Sequence, residues 1–199
     1  MTPLSPEDLD ALYGAPSPKS LTKVQSHLTP AYRAWIERSR FVVVSTVGPE
    51  GTDGSPRGDA GPVVRIADEA TLLLPDWQGN NRLDSLRNIV RDGRISLMFM
   101  VPGCTDVVRV NGTAIVTGDA EAVSQFEQGG RGPRTVVVVT VGEVYFQCAK
   151  ALMRSALWAG EDQSEGLPTA GEMLKEAETG CDAEDYDAAY HGNLRETLW

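Results

Sequence analysis

Six runs of β-branched and apolar residues, separated by turns and short helices, occupy the middle of this chain. The runs are RFVVVSTVG, PVVRIAD, ATLLLPD, RISLMFMVP, DVVRVNGTAIVTG and RTVVVVTVGEVYFQC. Such runs favour β-strands, and the segments between them do not alternate strand with long helix as a parallel α/β sheet requires. The pattern therefore predicts a mainly β fold, an antiparallel barrel of about six strands with flanking helices.

Turn residues divide these strands into pairs. The segment GPEGTDGSP after the first run is predicted to be the loop of a long hairpin, and Asp68 and Glu69 form the turn of a second pair. Gly112 lies inside a run and indicates a bulge or a close backbone approach, whereas Gly142 indicates a bend in the last strand.

Helices are predicted on both sides of the strands. A first helix covers Ser5 to Gly14, with Ser5 as N-cap, Pro6 at the first helical position and Asp8 completing a capping box. Apolar residues at helical spacing predict further helices from about Pro30 to Ser39 and from Ala149 to Trp158.

The C-terminal region reads as two parts. AGEMLKEAE is predicted to form a short amphipathic helix, whereas CDAEDYDAAYHGN has little apolar surface and is expected to be mobile or packed on a partner. The predicted layout is a helical extension over residues 1–29, the barrel over 30–158, and a linker, short helix and acidic tail over 159–199.

Charge and composition exclude several classes of function. The chain has 28 acidic and 18 basic residues, and this net charge of −10 argues against nucleic acid as a partner. A small anion is still allowed, because distant surface charge is screened within about 8 Å. MTPLSPEDLD lacks the features of a signal peptide, and no apolar run could span a bilayer, so we expect a cytoplasmic protein without a membrane partner.

Histidine and cysteine are too sparse for several kinds of site. The three cysteines are widely spaced and contain no C-x-x-C motif, so neither a disulfide framework nor a metal site is predicted. Only His27 and His191 could serve a Ser-His-Asp or Cys-His mechanism, and we assign no catalytic residues.

The stretch PDWQGNNRLDSLRNI is the strongest candidate for binding an anion. If Asn81 is the N-cap, Arg82 begins the helix and Ser85 lies beside it, so free N–H groups and a positive helix end meet a guanidinium. A phosphate fits this junction. The alternative is that Asn80 or Asn81 only caps the helix and Arg82 is a solvated surface charge.

Other charged residues have two readings each. In SPRGDAG, Arg57 and Asp59 either hold the polar edge of a planar ligand or form an exposed loop ion pair. Arg109 alternates with apolar residues and faces either a ligand or water. Lys150, Arg154 and Ser155 form either a second anion contact or a solvent-exposed helix face.

In their order along the chain, these motifs resemble the pyridoxamine 5'-phosphate oxidase-like superfamily, closest to its branch of FMN-dependent enzymes, also described as predicted flavin-nucleotide-binding proteins. The segments that carry the resemblance are SPRGDAGPVVRI, TLLLPDWQGNNRLDSLRNIVRDGRISLMFMVPG, VVRVNGTA and EVYFQCAKALMRSALW. The resemblance implies a six-stranded split β-barrel that forms a homodimer, with FMN in clefts between the subunits.

The resemblance also implies roles for individual residues. The FMN phosphate would be held by Asn80, Asn81, Arg82 and Ser85. Arg57 and Asp59 would lie near the polar edge of the flavin, Pro75 and Asp76 would contact it, and Arg109 would reach it from the cleft wall or from the partner.

Departures from the family pattern limit what the resemblance implies about activity. Asp84 and Ser85 stand where the true oxidases carry a basic pair, and Gln147 replaces an expected His. Neither PVVRIAD nor HGNLRETLW matches the segments that bind the vitamin substrate. The resemblance therefore implies an FMN-dependent oxidoreductase that acts on another small molecule. The alternatives are a non-enzymatic flavin-binding protein for storage or sensing, and a deazaflavin-dependent reductase on the same fold.

Overall fold

The structure is a computed structural model that describes residues 1–197, with side chains given at all of these positions except 191, 195 and 196. The last two residues of the C-terminal segment predicted over 159–199 lie outside the described residues.

One antiparallel sheet of seven strands forms the body of the molecule, in the order β2-β1-β5-β6-β7-β4-β3. The strands are β1 (Phe41–Gly48), β2 (Gly51–Gly58), β3 (Arg65–Ile66), β4 (Thr71–Asp76), β5 (Arg94–Met100), β6 (Val107–Thr117) and β7 (Thr135–Gln147). The mainly β, antiparallel fold is confirmed. The sheet has seven strands rather than six and is not closed, since β2 and β3 lie at its two edges.

The additional strand is β2, which the sequence predicted to be a loop. β1 pairs with it along its full length, from Phe41 opposite Gly58 to Gly48 opposite Gly51, so only Pro49 and Glu50 form the turn. Its polar, glycine-rich composition and its proline are tolerated because an edge strand pairs on one side only. Pairing with β1, not local propensity, determines this strand.

The sheet curves around one apolar core. Side chains from β1 and β4, which lie near opposite edges of the sheet, belong to the same buried cluster, including Val42 and Leu72. Ile36 and Ile89, from the helices next to the barrel, are buried against the same cluster. This curvature brings β2 and β4 together at the open side of the barrel.

The bulge predicted at Gly112 is present. The register between β6 and β7 changes so that Asn111 faces Glu143 while Gly112 faces Val141, which leaves Gly142 as the extra residue. A Cβ atom on Gly112 would lie 2.0 Å from the Thr140 carbonyl oxygen, so the backbones approach too closely for any side chain.

Eight helices flank the sheet in the described part of the chain. They are α1 (Pro6–Tyr13), α2 (Pro18–Thr22), α3 (Pro30–Arg38), α4 (Asp84–Arg91), α5 (Ala120–Val123), α6 (Lys150–Arg154), α7 (Ala170–Ala177) and α8 (Ala183–Glu196). The capping box of α1 is confirmed, since Ser5 Oγ accepts from the Asp8 N–H at 3.2 Å and Asp8 Oδ2 accepts from the Ser5 N–H at 2.9 Å.

Three helix predictions were wrong in part. α4 begins at Asp84 with Leu83 as N-cap, and Asn81, the predicted N-cap, has a left-handed φ of +59° instead of the extended backbone typical of an N-cap. α6 is only five residues long, and Ala156 just beyond it has a left-handed φ of +51°. The acidic tail forms α8, with the Asp182 side chain accepting from the Glu184 and Asp185 N–H groups at 3.1 and 3.2 Å.

Candidate functional site

A cleft of about 1240 Å³ opens where β2, β4 and the start of β7 meet, at the open side of the barrel. Its polar lining residues include Arg57, Asp59, Asp76, Asn80, Asn81, Arg82, Arg131, Arg134 and Thr135, and its apolar and aromatic lining residues include Val63, Leu74, Pro75, Trp77, Leu83, Leu86, Tyr186, Tyr190 and Leu194.

An ion pair between two strands forms the floor of this cleft. Arg57 Nη1 of β2 lies 2.6 Å from Asp76 Oδ1 of β4, and both side chains are largely buried, with exposed fractions of 26% and 18%. These strands are not neighbours in the sheet, so the ion pair joins the edge strand β2 to β4, the strand next to the opposite edge, across the open side. Thr135 faces Asp76 in the register between β4 and β7 and completes the floor.

Two buried polar atoms at this floor lack hydrogen-bond partners. Arg57 Nε and Thr135 Oγ1 have none among the described residues. A buried donor or acceptor left unsatisfied costs about 1–3 kcal/mol, so native proteins seldom tolerate one without a reason. Both residues line the cleft.

Asp59 positions a neighbouring aromatic ring. Its Oδ2 accepts from Trp77 Nε1 at 3.0 Å, and its Oδ1 accepts from the Gly61 N–H at 3.1 Å and from Gln128 Nε2 at 3.4 Å. With both oxygens engaged, the carboxylate holds the Trp77 indole in the lining of the cleft.

The rim of the cleft is the turn between β4 and α4. Asn80 Oδ1 accepts from the Arg82 N–H at 3.0 Å, and Asn81 Oδ1 accepts from Arg134 Nη1 at 3.5 Å. Arg82 Nε lies 2.5 Å from Asp84 Oδ2, and this hydrogen bond raises the pKa of the Arg82 guanidinium. The Arg82 side chain is 81% exposed, so water and salt weaken the pair.

Several residues predicted to bind the ligand are absent from this cleft. Ser85 is buried, and its Oγ donates to Asp53 Oδ2, because a helix that begins at Asp84 turns Ser85 toward β2 instead of the cleft. Ser85 is not among the residues that line this cleft, and the phosphate contact predicted for it stays a prediction.

Arg109 lies on β6, with its guanidinium 5.5 Å from the centre of the Tyr145 ring and 3.4 Å from Gln147 Oε1. Its Nε is buried and has no partner in the described residues. Exposed positions at α6 are occupied by Lys150, Arg154 and Ser155. One copy of the chain does not bring these four residues to the cleft it forms with Arg57.

Sequence reasoning missed a second group of cleft residues. Arg131, Arg134 and Thr135 come from the segment RGPRT before β7, where two arginines flank a Gly-Pro turn. Tyr186, Tyr190 and Leu194 follow one another at intervals of four, a helical stripe that was visible in the acidic tail.

A family model described as "Pyridoxamine 5'-phosphate oxidase" matches residues 28–148. The chain belongs to this family. The prediction from the sequence motifs is thereby confirmed, and every strand of the sheet falls within the matched region.

Solved structures similar to this oxidase-family chain include three from bacteria. A variant of HupZ from Group A Streptococcus is 18% identical, with a TM-score of 0.50, and the alignment covers 60% of this chain and 99% of that one. An FMN-binding protein from Syntrophomonas wolfei is 12% identical, with a TM-score of 0.42 and coverages of 58% and 88%.

The third is a protein from Clostridium acetobutylicum related to general stress protein 26, of the pyridoxinephosphate oxidase family. It is 15% identical, with a TM-score of 0.43 and coverages of 59% and 85%. At these identities the likeness concerns the fold alone. No curated protein sequence matches the chain.

The cleft combines residues from inside and outside the family region. The floor and the rim lie within residues 28–148, whereas the tyrosines of α8 lie beyond it. In the described residues no helix is long and apolar enough to cross a membrane. Residues 1–197 also contain no cluster of three or more His, Cys, Asp or Glu side chains placed to hold a metal ion.

Proposed function

We propose that the chain binds FMN in the cleft above the Arg57–Asp76 pair and acts as an FMN-dependent oxidoreductase on a small molecule. The observation that carries this proposal is the floor itself. Two buried polar atoms without described partners, Arg57 Nε and Thr135 Oγ1, belong to residues that line a cleft of about 1240 Å³ in a chain of this oxidase family.

The charge of the cleft supports an anionic ligand. Four arginines line it against the two carboxylates of Asp59 and Asp76, although the chain as a whole carries a net charge of −10. This local excess of positive charge is the electrostatic requirement of a phosphate. The lining arginines are Arg57, Arg82, Arg131 and Arg134.

The residues divide the work of holding FMN. Asn80, Asn81 and Arg82 at the rim would hold the phosphate, with Arg134 taking the part first predicted for Ser85. Arg57 would donate from Nε to the polar edge of the ring system, and Pro75, Asp76 and Thr135 would line the same edge.

When bound, FMN would supply the redox chemistry, accepting a hydride equivalent from a reduced substrate. The protein would bind FMN and orient it. Arg57, fixed by Asp76, presents a positive charge that does not rearrange when negative charge develops beside it. Trp77, held by Asp59, lines the same cleft.

Residues outside the cleft suggest a second copy of the chain. We propose that Arg109, Lys150, Arg154 and Ser155 reach the cleft of a partner in a homodimer. Large apolar side chains beside them are exposed, including Phe146 (46%), Met153 (66%) and Leu157 (53%), as expected for a surface that another subunit covers.

Cofactor identification and titration test the flavin proposal. Absorbance spectra of the purified protein are recorded before and after adding FMN, and any released cofactor is identified by chromatography. Riboflavin, which lacks the phosphate, is the matched control. We expect FMN to bind at least about tenfold more tightly than riboflavin, since charge-assisted hydrogen bonds would be lost with the phosphate.

The outcomes separate the alternatives. Equal affinity for FMN and riboflavin would reject the phosphate site at the rim. Release of a deazaflavin would identify that molecule, and not FMN, as the cofactor. Anaerobic reduction of the bound flavin by NADH or NADPH, followed by reoxidation with an acceptor, would favour an enzyme over a storage or sensing protein.

A further inference from the structure

Helix α1 has an apolar stripe that is exposed to solvent in one copy of the chain. Leu9, Leu12 and Tyr13 lie three and four residues apart, so they share one side of the helix, and they are 45%, 66% and 83% exposed. None of the eight residues of α1 is buried. A helix this short is unstable in water on its own, because so few turns do not offset the cost of starting a helix. α1 therefore needs a surface to pack on.

A second exposed apolar surface lies at α6. Met153 and Leu157 are 66% and 53% exposed, and the side chains of Lys150 and Arg154 are exposed beside them. These four residues are called the α6 surface below. No residue of α6 itself is buried. Since both surfaces remain exposed in one copy of the chain, α1 does not cover the α6 surface of its own chain.

The two surfaces carry opposite charges. The side chains of residues 1–18 include three carboxylates and no basic group, whereas those of residues 144–160 include Lys150 and Arg154 and no acidic group. Two copies of a chain with a net charge of −10 repel each other over most of their surfaces. A basic apolar surface that meets an acidic apolar helix is the exception, because opposite charges favour that pairing over others.

The segment that carries α1 is anchored near the start of α6. Gln25 exchanges two backbone hydrogen bonds with Val144 of β7, at 2.9 and 2.8 Å. The Tyr32 hydroxyl donates to the Lys23 carbonyl oxygen at 2.8 Å and accepts from the Phe146 N–H at 3.3 Å. From this anchor, the connection through α2 can extend about 20 Å, which is long enough for α1 to reach a second copy at this end of β7.

We propose that α1 of one copy packs on the α6 surface of a second copy, and that the exchange is reciprocal. The apolar stripe of α1 covers Met153 and Leu157, and its carboxylates lie beside Lys150 and Arg154. A pair of copies related by a two-fold axis makes this contact twice. The inference rests on the proposed homodimer and names the surfaces by which its two copies meet.

Sedimentation equilibrium of the full chain tests the apolar contact. Leu9→Ser/Leu12→Ser should raise the dissociation constant of the dimer at least about tenfold, because each copy loses the burial of two leucines. Leu167→Ser, at a 66% exposed leucine of the segment before α7, is the matched control and should leave the constant unchanged. None of these leucines is buried in one copy, so both variants should fold. A wild type that stays monomeric, or an α1 variant with an unchanged dissociation constant, would overturn the inference.

Charge reversal tests whether the contact joins two copies. Asp10→Lys and Arg154→Glu should each weaken the dimer roughly threefold to tenfold at low salt, because like charges meet at both contacts. Glu165→Lys is the matched control for Asp10→Lys, since it changes the net charge equally at an exposed position and should not weaken the dimer.

A mixture of the two weakened variants gives the sharpest result. In a mixed pair of Asp10→Lys with Arg154→Glu, both contacts join opposite charges, so the heterodimer should be tighter than either variant's own dimer. A helix that packs on its own chain gains nothing from mixing. A mixture no tighter than its components would therefore contradict the exchange.

The inference and the flavin proposal can fail separately. If wild type dimerises through α1 but binds no FMN, the inference stands and the proposed function fails. If wild type binds FMN and dimerises with a dissociation constant that no α1 variant changes, the inference fails and the proposed function stands. A monomeric wild type would overturn the homodimer and the inference together, and FMN titration of that monomer would still decide the flavin site.

Discussion

The floor and the rim of the cleft are built from similar residues but differ in what they leave unsatisfied. At the floor, Arg57 and Asp76 are largely buried, and Arg57 Nε has no partner among the described residues. At the rim, Arg82 is 81% exposed and hydrogen-bonded to Asp84. A buried guanidinium with an unsatisfied N–H donor gains more binding free energy from a ligand than an exposed guanidinium that is already hydrogen-bonded. We therefore expect most of the binding energy to come from the floor.

Arg57→Ala should have the largest effect. It removes the unsatisfied donor and leaves the Asp76 carboxylate without its 2.6 Å partner. Hydrogen bonds to charged groups contribute about 1.5–3 kcal/mol, so FMN affinity should fall roughly tenfold to a hundredfold. Fluorescence titration measures the affinity, and chemical denaturation measures an expected loss of about 1–3 kcal/mol in the free energy of unfolding.

Arg57→Lys is the control for this variant. It keeps the charge but replaces the planar set of donors by a single ammonium group, so its affinity for FMN should be intermediate. If Arg57→Ala binds FMN as tightly as wild type while remaining folded, the floor does not dominate the binding energy.

Thr135→Val separates ligand binding from stability at the same floor. Valine keeps the shape and removes a buried hydroxyl that has no described partner. We expect FMN affinity to fall roughly threefold to tenfold, the value of one neutral hydrogen bond, with no loss of unfolding free energy. Thr140→Val, at an exposed position of the same strand, is the matched control and should leave FMN affinity unchanged. If Thr135→Val lowers the free energy of unfolding without lowering FMN affinity, the hydroxyl stabilises the fold and does not bind the ligand.

Of the strands that carry the floor, the sequence predicted β4 and β7 but not β2. β1, β4 and β7 were recognisable because β-branched runs carry a strong local preference. β2 was not, since the polar segment that contains Arg57 becomes a strand only by pairing with β1. For this reason Arg57 was expected where a loop enters a strand, and its assignment to the ligand's polar edge stays a prediction.

At the rim, the predicted start of α4 was wrong. Asn81 is a good N-cap residue type, but here it has a left-handed backbone and α4 begins at Asp84. That shift turns Ser85 toward Asp53. The helical stripe that contains Tyr190 was visible in the sequence, but the place of Tyr190 and Arg134 in the cleft was not, because only the fold brings residues so distant in sequence together.

Arg82→Ala tests the rim and should have a smaller effect than either floor variant. We expect FMN affinity to fall about threefold, because an exposed guanidinium contributes through a screened charge. The distinguishing measurement is salt dependence, since the difference between wild type and variant should shrink as ionic strength rises. Riboflavin affinity should be the same for both. A loss larger than that of Arg57→Ala would reverse the ranking of floor and rim.

Asp84→Asn should have the smallest effect and the opposite sign. Asp84 competes with a ligand phosphate for Arg82, and its hydrogen bond raises the pKa of that guanidinium. Removing the carboxylate's charge frees Arg82 and lessens repulsion, so FMN should bind roughly twofold more tightly at low salt. In the Arg82→Ala background the same substitution should gain less, because the competition no longer exists, and a double-mutant cycle measures this coupling. Equal gains in FMN affinity in both backgrounds would mean that Asp84 repels the ligand directly. The rim would then act on the phosphate through its charge and not through a specific contact with Arg82.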